Sequence, residues 1–276
     1  MNIVFDIGGT NIRIARVKGT RLDRIEKFST PSKPQAAFTL MVKHIDALRG
    51  EEKVTRIIGG VPGSVDSTRQ QLVRAANLTQ WKKFALGKKL AQHYSARVQL
   101  YNDADLAGLG EAYYGAGKGK EVFAYLTLST GIGGTRIVKG KIDQASGTFE
   151  PGHHVIDAAT VLRKGPRSEG YWEKFVSGSA LQRRFHNPAE KIHDAKVWQE
   201  FHAYIALGLV NVSIFWSPEA IVLGGALMQN THVSISRLQK LLQKYYYISS
   251  PTPKLIRGKL GDRAGLYGAM SLLRHI

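Results

Sequence analysis

The chain has 276 residues, of which 43% are hydrophobic, so it is long enough for one or two domains with a large core. It has no cysteine, which excludes disulfides and thiolate metal sites. Its 39 Lys and Arg residues against 21 Asp and Glu residues give a formal net charge of +18. Such a charge attracts polyanions, but the basic residues are scattered, so a solvated basic surface is favoured over a polyanion-binding track. No run of about 18 apolar residues and no secretory signal is visible, so we expect no membrane partner and a cytoplasmic location.

The first motif is a strand, a glycine turn and a second strand, M-N-I-V-F-D-I-G-G-T-N-I-R-I-A-R-V. It predicts a β-hairpin with the turn Gly8-Gly9-Thr10-Asn11, in which glycines let the backbone N–H groups approach a ligand and Thr10 and Asn11 add polar contacts. Asp6, at the end of the apolar strand, is placed to hold a hydrated Mg²⁺. An ordinary hairpin fits the same residues, and the hairpin alone does not separate the two interpretations.

The rest of the first half alternates strands and helices. After a strand near Arg24–Phe28, apolar spacing and breakers predict a helix at 37–48 stopped by Gly50, a strand at 54–61 ending in a Gly/Pro turn, a helix at 84–93, a strand at 98–101 and a helix at 104–114. Residues 115–120 form a loop that we interpret as a domain junction. It lacks the spacing of a Walker A motif.

A second glycine hairpin stands in the other half of the chain, L-T-L-S-T-G-I-G-G-T-R-I-V at Leu126–Val138. Its turn, Ser129–Gly134, is placed to bind phosphates through backbone N–H groups, with Thr130 as the side-chain contact. Further on, the sequence predicts an amphipathic helix at 195–216 ended by Pro218, a strand at 221–223, a basic helix at 237–247 and a last helix that begins at Asp262.

Asp103 is the candidate general base between the two hairpins. It follows an apolar stretch, and a carboxylate at the carboxyl end of a strand can accept the proton of a hydroxyl during phosphoryl transfer. Capping the next helix is the commoner role for such an aspartate. Beside two glycine hairpins we prefer the base.

These pieces together resemble the ROK family of sugar kinases and sugar-responsive repressors. The matching motifs occur in the family's order and span nearly the whole chain: D-I-G-G-T-N at 6–11, G-V-P-G-S-V-D at 60–66, N-D-A-D-L-A-G-L-G-E at 102–111, the loop at 129–135, E-P-G-H at 150–153, E-x-x-x-S-G at 173–178 and I-V-L-G-G-A at 221–226. The resemblance implies an α/β, actin-like ATPase (ribonuclease H-like) fold with two domains and a cleft between them. The domains are expected at 1–116, joined by the helix at about 262–276, and at 117–261.

The resemblance also assigns the ligand contacts. Carboxylates accept hydrogen bonds from sugar hydroxyls, while amides and an imidazole can both donate and accept, so together they serve both functions of a hydroxyl. The family's sugar contacts map onto Gly63, Asn77, Asn102, Asp103, Glu150, His153 and Glu173. The nucleotide contacts map onto Asp6, Gly8, Gly9, Thr10, Asn11, Thr130, Gly131, Gly133, Gly134, Gly224 and Gly225. Asp105 is the less favoured base because the family's invariant pair maps onto Asn102 and Asp103.

The chain departs from the family between G-H and the second glutamate. Most members have a cysteine-rich zinc-binding stretch there, and this chain has no cysteine. His153, His154 and Asp157 are too few to replace it, so we expect no zinc and a segment held by packing through Tyr171 and Trp172. A family branch without zinc uses inorganic polyphosphate as phosphoryl donor, whereas the retained E-x-x-x-S-G resembles the ATP-dependent branch.

The sequence therefore predicts an ATP-dependent kinase that phosphorylates the 6-hydroxyl of a glucose-like hexose, with Mg²⁺ at Asp6 and Asp103 as base. Alternatives are a polyphosphate-dependent glucokinase, an N-acetylhexosamine or fructose kinase, and a non-catalytic sugar-binding protein. The family's repressors carry a helix-turn-helix module for which this chain shows no room, so nucleic acid is not an expected partner. Expected partners are a sugar and a nucleotide, with a homodimer left open.

Overall fold

The computed structural model describes residues 1–74, 78–144, 147–166 and 168–275. Its strands in chain order are β1 (Asn2–Ile7), β2 (Asn11–Lys18), β3 (Arg21–Ser29), β4 (Arg56–Val61), β5 (Ser64–Val65), β6 (Leu72–Arg74), β7 (Arg97–Asn102), β8 (Val122–Leu128), β9 (Ile132–Val138), β10 (Lys141–Ile142), β11 (Ala220–Gly224) and β12 (Lys254–Arg257). Its α-helices are α1 (Pro34–Arg49), α2 (Leu86–Tyr94), α3 (Asp103–Tyr114), α4 (Ala158–Lys164), α5 (Trp172–Val176), α6 (Gly178–Phe185), α7 (Ala195–Trp216), α8 (Ile235–Tyr245) and α9 (Ala264–His275).

The chain forms two compact units. The first comprises Met1–Tyr114, Ala145–Thr148 and Arg263–Ile276, and the second comprises Gly115–Gln144 and Phe149–Asp262. Short 3₁₀ helices occur at Thr79–Trp81, Pro151–His153, Ala189–Lys191, Ala226–Gln229 and Gly261–Arg263.

The described part of the first unit is built on a five-stranded sheet in the order β3-β2-β1-β4-β7. Strands β1, β2 and β3 are antiparallel, whereas β1, β4 and β7 are parallel, so the last three have their carboxyl ends at one edge. Asp6 is in register with Gly60, and Val61 with Asn102. The sheet thus brings three predicted site segments to the same edge, which is where ligands bind in open α/β sheets.

The described part of the second unit repeats this arrangement as β10-β9-β8-β11-β12. Its first three strands are again antiparallel, and β8, β11 and β12 are parallel. The same sheet order in both units is the duplication expected from the two glycine hairpins.

The helices follow from local signals and a buried apolar face. Helix α1 begins at a proline and buries Ala37, Met41, Ile45 and Leu48, and Gly50 follows it with φ 55°. Helix α7 has the predicted bounds: Asp194 accepts the N–H of Lys196 at its start, and Ser217 ends it in the left-handed conformation. In the described residues no helix is long and apolar enough to cross a membrane.

Each unit has its own hydrophobic core. The first core contains fully buried side chains from β1, β2, β4, α1, α2 and the 3₁₀ helix Thr79–Trp81, including Phe5, Met41 and Trp81. The second gathers β8, β11, α5, α7 and α8, including Trp172 and Trp198. Burial of large aromatic side chains of this kind dominates the stabilisation of such cores.

Candidate functional site

Two carboxylates meet at the carboxyl edge of the first sheet. Asp6 is half-buried near the end of β1, and Asp103 begins α3 directly after β7. Gly60 lies between the two aspartates and close to both, because a methyl group there would be 2.9 Å from Asp6 Oδ1 and 3.5 Å from Asp103 Cα. A methyl group at Gly265 in α9 would lie 2.7 Å from Asp6 Cγ, so only glycine leaves room for this carboxylate.

The environment of Asp103 suits a proton acceptor. Burial, and secondly the nearby Asp6 carboxylate, raise the pKa of Asp103 to about 7, while the N–H of Ala104 donates to Asp103 Oδ1 at 2.9 Å and opposes the rise. A carboxyl group with a pKa near neutrality can take up a proton from a substrate more readily than an ordinary aspartate.

Asn102, and not Asp103, caps the start of α3, which was the alternative role considered for Asp103. Its Oδ1 accepts the N–H of Asp105 at 3.1 Å, three residues into the helix start, and its Nδ2 donates to the carbonyl of Gly63 at 2.9 Å. Gly63 has φ 98°, a conformation that favours glycine. Asn102 therefore connects the loop after β4 to the start of α3 and helps to fix the position of Asp103.

The first glycine turn has the predicted hairpin geometry, except that Asn11 is already the first residue of β2. The N–H of Gly8 donates to the carbonyl of Asn11 at 2.9 Å. Thr30, which the sequence analysis did not single out, braces the turn: its hydroxyl donates to Gly8 O at 2.7 Å and its N–H to Thr10 O at 2.9 Å. These two carbonyl oxygens are thereby satisfied within the protein, which reduces their repulsion of an anion.

Asp6 fits the Mg²⁺ that the sequence predicts. Magnesium in phosphoryl-transfer sites is held by one or two carboxylates, with substrate phosphates and waters completing an octahedral shell. Asp6 supplies such a carboxylate beside the glycine turn, and the glycine backbones of Gly60 and Gly265 leave it space. No three His, Cys, Asp or Glu side chains in the described residues group closely enough to form an all-protein metal site.

The second glycine turn is shorter than predicted. Strand β9 begins at Ile132, so Gly133 and Gly134 lie in the strand, and the turn comprises Ser129, Thr130 and Gly131. A methyl group at Gly134 would lie 2.7 Å from the carbonyl of Tyr125 and 2.9 Å from Pro151. Gly134 is therefore a close-packing glycine within β9, and the predicted turn, Ser129–Gly134, was too long. The nucleotide contacts of Gly133 and Gly134 stay predictions.

The Gly224-Gly225 segment lies next to this turn. Gly224 ends β11 in register with Thr127, and Gly225 has φ 92°. A methyl group at Gly225 would lie 2.3 Å from the carbonyl of Leu128, the residue that precedes the turn. The second unit thus brings together these two predicted nucleotide-binding segments.

His153 and Glu173 line one pocket of about 360 Å³ in the second unit. The other described residues that line it are Gly152, Pro166, Ser168, Tyr171 and Lys174. Glu150 stands at 3.9 Å from His153 Nδ1, and both side chains are largely exposed. Pro166, Ser168 and Lys174 were not predicted, and only Lys174 had a signal, since it follows Glu173 directly. Asn77, the remaining predicted sugar contact, lies outside the described residues.

The segment that replaces the family's zinc-binding stretch is held by backbone pairing and ring packing. Val155 pairs with Tyr171, and the N–H of Trp172 donates to His154 O at 2.9 Å. The fully buried Trp172 ring stacks on His154 with centroids 5.0 Å apart, and its indole N–H donates to Tyr204 O at 2.9 Å. Burial lowers the pKa of His154 to about 4, so the stacked imidazole is neutral near pH 7.

Comparison with known proteins decides the family. The ROK family model matches residues 2–276. The chain belongs to the ROK family. It is 26% identical to a glucokinase of Streptomyces coelicolor, covering 99% of this chain and 98% of the relative, and 29% identical to an N-acetyl-D-glucosamine kinase of Salmonella paratyphi A, covering 97% of each. A ROK family glucokinase of Streptomyces griseus, solved with glucose and AMPPNP, superposes with a TM-score of 0.84 at 25% identity and covers 100% of this chain and 99% of that structure.

The fold prediction is thereby confirmed. The structural neighbours of this ROK family member include sugar kinases with the actin-like ATPase fold, and its two α/β sheets share one strand order. The domain bounds and the individual ligand contacts stay predictions.

Proposed function

We propose that this chain transfers the γ-phosphoryl group of ATP to the 6-hydroxyl of a glucose-like hexose. The chain is a sugar kinase, because it belongs to the ROK family and its relatives over nearly the whole chain include sugar kinases. The observation that carries the finer proposal is the pair of carboxylates at the edge of the first sheet, one of them with a pKa of about 7. A homodimer and a cytoplasmic location stay predictions.

In the proposed reaction Asp103 accepts the proton of the 6-hydroxyl as its oxygen attacks the γ-phosphorus. Asp6 would hold Mg²⁺, which when bound neutralises charge on the phosphates. The backbone N–H groups of the two glycine turns would hold the phosphate chain. Glu150, His153 and Glu173 would accept hydrogen bonds from, or donate them to, the other sugar hydroxyls. The protein therefore supplies positioning and charge, which are its main contributions in phosphoryl transfer.

A donor-by-sugar panel tests this proposal. ATP or polyphosphate would be combined with glucose, mannose, fructose, N-acetylglucosamine or N-acetylmannosamine, with Mg²⁺ or with EDTA. We expect Mg²⁺-dependent turnover of ATP with glucose. Turnover with polyphosphate alone would instead support the donor alternative, for which the net charge of +18 is the favouring observation. Absence of turnover with every pair in a folded protein would overturn the kinase proposal.

Asp103→Asn tests the base. The substitution keeps the shape and removes the proton acceptor, so kcat is expected to fall about 10²–10⁴-fold while the sugar KM changes little. Asp105→Asn is the matched control because it removes a carboxylate two residues away on the same helix and should keep most of the activity. Near-normal kcat in Asp103→Asn would refute the assignment.

A further inference from the structure

The segment Glu173–Ser179 is bonded to the second glycine turn at two points and to the first residue of β9 at a third. Glu173 Oε2 accepts the N–H of Ile132 at 2.8 Å. At the other end of the segment, the N–H of Gly178 donates to Ser129 O at 2.7 Å, and the N–H of Ser179 donates to Thr130 O at 3.1 Å. Ser177 fixes this end because its hydroxyl caps α6 by accepting the N–H of Ala180. The E-x-x-x-S-G motif thus holds the turn from both sides.

These bonds leave the turn suited to an anion. The carbonyl of Gly131 accepts the N–H of Ser129 at 2.9 Å, so the carbonyl groups of Ser129, Thr130 and Gly131 all have donors within the protein. The N–H of Ser129 is used in that bond, so the turn has the N–H groups of Thr130 and Gly131 to offer to a ligand. Backbone N–H groups beside satisfied carbonyl oxygens are an arrangement that binds phosphate. The bond from Ile132 to Glu173 fixes where the turn joins β9.

Glu173 is also one of the residues of the predicted sugar pocket. Glu173 lines that pocket together with His153 and Gly152, and a methyl group at Gly152 would lie 3.3 Å from Glu173 Cβ. On its other side, a methyl group at Gly131 would lie 2.6 Å from Oε2 and 3.9 Å from Oε1. One carboxylate oxygen therefore contacts the turn, and the other is farther from it. A carboxylate has about four acceptor positions, enough to serve both sites.

We propose that Glu173 couples the two ligands, because a sugar hydroxyl that donates to Oε1 holds the carboxylate where Oε2 fixes the phosphate-binding turn. The inference rests on the proposed function and adds a thermodynamic link to it. Sugar bound at the pocket tightens nucleotide binding at the turn, and nucleotide tightens sugar binding by the same factor, as linkage requires. Glu173 is in this view a positioning residue for the turn as well as a sugar contact.

Calorimetric titration tests the coupling without relying on turnover. The Kd of Mg²⁺–AMPPNP would be measured with and without saturating glucose, and the ratio of the two values is the coupling factor. For the natural chain we expect a ratio in the range of about 5–150. In Glu173→Ala the sugar-free Kd for AMPPNP should rise and the ratio should fall towards one.

Three further variants make the result specific. His153→Ala removes a pocket residue that has no bond to the turn, so it should weaken glucose and leave the sugar-free AMPPNP Kd unchanged. Glu169→Ala removes an exposed glutamate four residues before Glu173, which pairs with Arg183 and not with the turn, so it should leave all constants unchanged. Glu173→Gln keeps an oxygen for the Ile132 N–H but loses the charge, so it should fold like the natural chain, with a reduced ratio.

The proposal is overturned if both Glu173 variants weaken glucose binding alone and keep the sugar-free AMPPNP Kd and the ratio of the natural chain. A natural chain that binds neither ligand would instead contradict the proposed function. A natural chain that binds both ligands with a ratio of one would overturn the coupling and leave the kinase assignment intact.

Discussion

Replacing Trp172 with alanine should be among the most destabilising substitutions in the second unit. The ring is fully buried, stacks on His154 and lies directly on the backbone of α7, where a methyl group at Gly208 would come within 1.9 Å of it. A buried indole removes on the order of 200 Å² of surface from water, which corresponds to about 5 kcal/mol at 25 cal/mol per Å². Measured Trp→Ala changes in cores cost about 3–5 kcal/mol, in agreement.

The prediction can be resolved into parts. Trp172→Phe keeps most of the apolar ring but loses the N–H that donates to Tyr204, so we expect a cost of about 1–2 kcal/mol. Leu162→Ala is the control, since this leucine is 87% exposed in the same segment and should change stability by at most about 0.5 kcal/mol.

The free energy of unfolding would be measured in urea by circular dichroism for the three variants. The reasoning is refuted if Trp172→Ala costs less than about 1 kcal/mol, or if Leu162→Ala costs as much as Trp172→Ala. Either result would mean that ring packing does not hold the segment that lacks the family's cysteines.

Three other predictions concern the metal, a buried histidine and chelation. Gly265→Ala should displace the Asp6 carboxylate. In a thermal-shift assay the rise in Tm produced by Mg²⁺ with ADP should therefore shrink, while the rise produced by glucose is kept. An unchanged rise with Mg²⁺ and ADP would contradict this. Burial lowers the pKa of His202, whose Nδ1 contacts Trp198 O and whose Nε2 accepts the N–H of Ser234 at 3.0 Å. The stability contributed by the neutral ring is full above the ordinary histidine pKa of 6.5 and is lost as the pH falls below that value. The urea midpoint should therefore drop between about pH 7.5 and about pH 5.5, and the drop should be smaller in His202→Gln. Equal drops in the two proteins would show that another group is responsible. EDTA should leave the Tm of the ligand-free chain unchanged because no thiolate is present, and a clear decrease would indicate a structural metal.

Most of the fold could be predicted because its signals are local. The glycine turn after Asp6, the period of apolar residues along α7 and the breakers Gly50 and Pro218 each act within a few residues. The prediction failed where contacts with residues distant in the sequence determine the local structure. Gly133 and Gly134 look like turn residues, but they continue β9, and Gly134 is small because Tyr125 and Pro151 pack against it.

The sequence predicted which residues belong to the site, but not the hydrogen bonds and packing contacts that connect them. Asp103 was favoured as base over cap, and the structure gives the capping bond to Asn102. Glu173 was predicted to contact sugar, and its bond to Ile132 depends on two segments more than 40 residues apart meeting in space, which no local pattern indicates. Thr30 and Gly265 were missed for the same reason, since they act through the sheet and helix that bring them to the site.

The two hydrophobic cores have no described residue in common, and this separation bears on how the sequence can evolve. A volume change in one core is compensated most directly by a change in a side chain of the same core, because packing strain is transmitted through contacts. A destabilising change in the core of the unit that carries Glu150, His153 and Glu173 can therefore be repaired by a second change within that core. The cysteine-free segment around Trp172 draws its packing from the second core, so changes within that core suffice to maintain it.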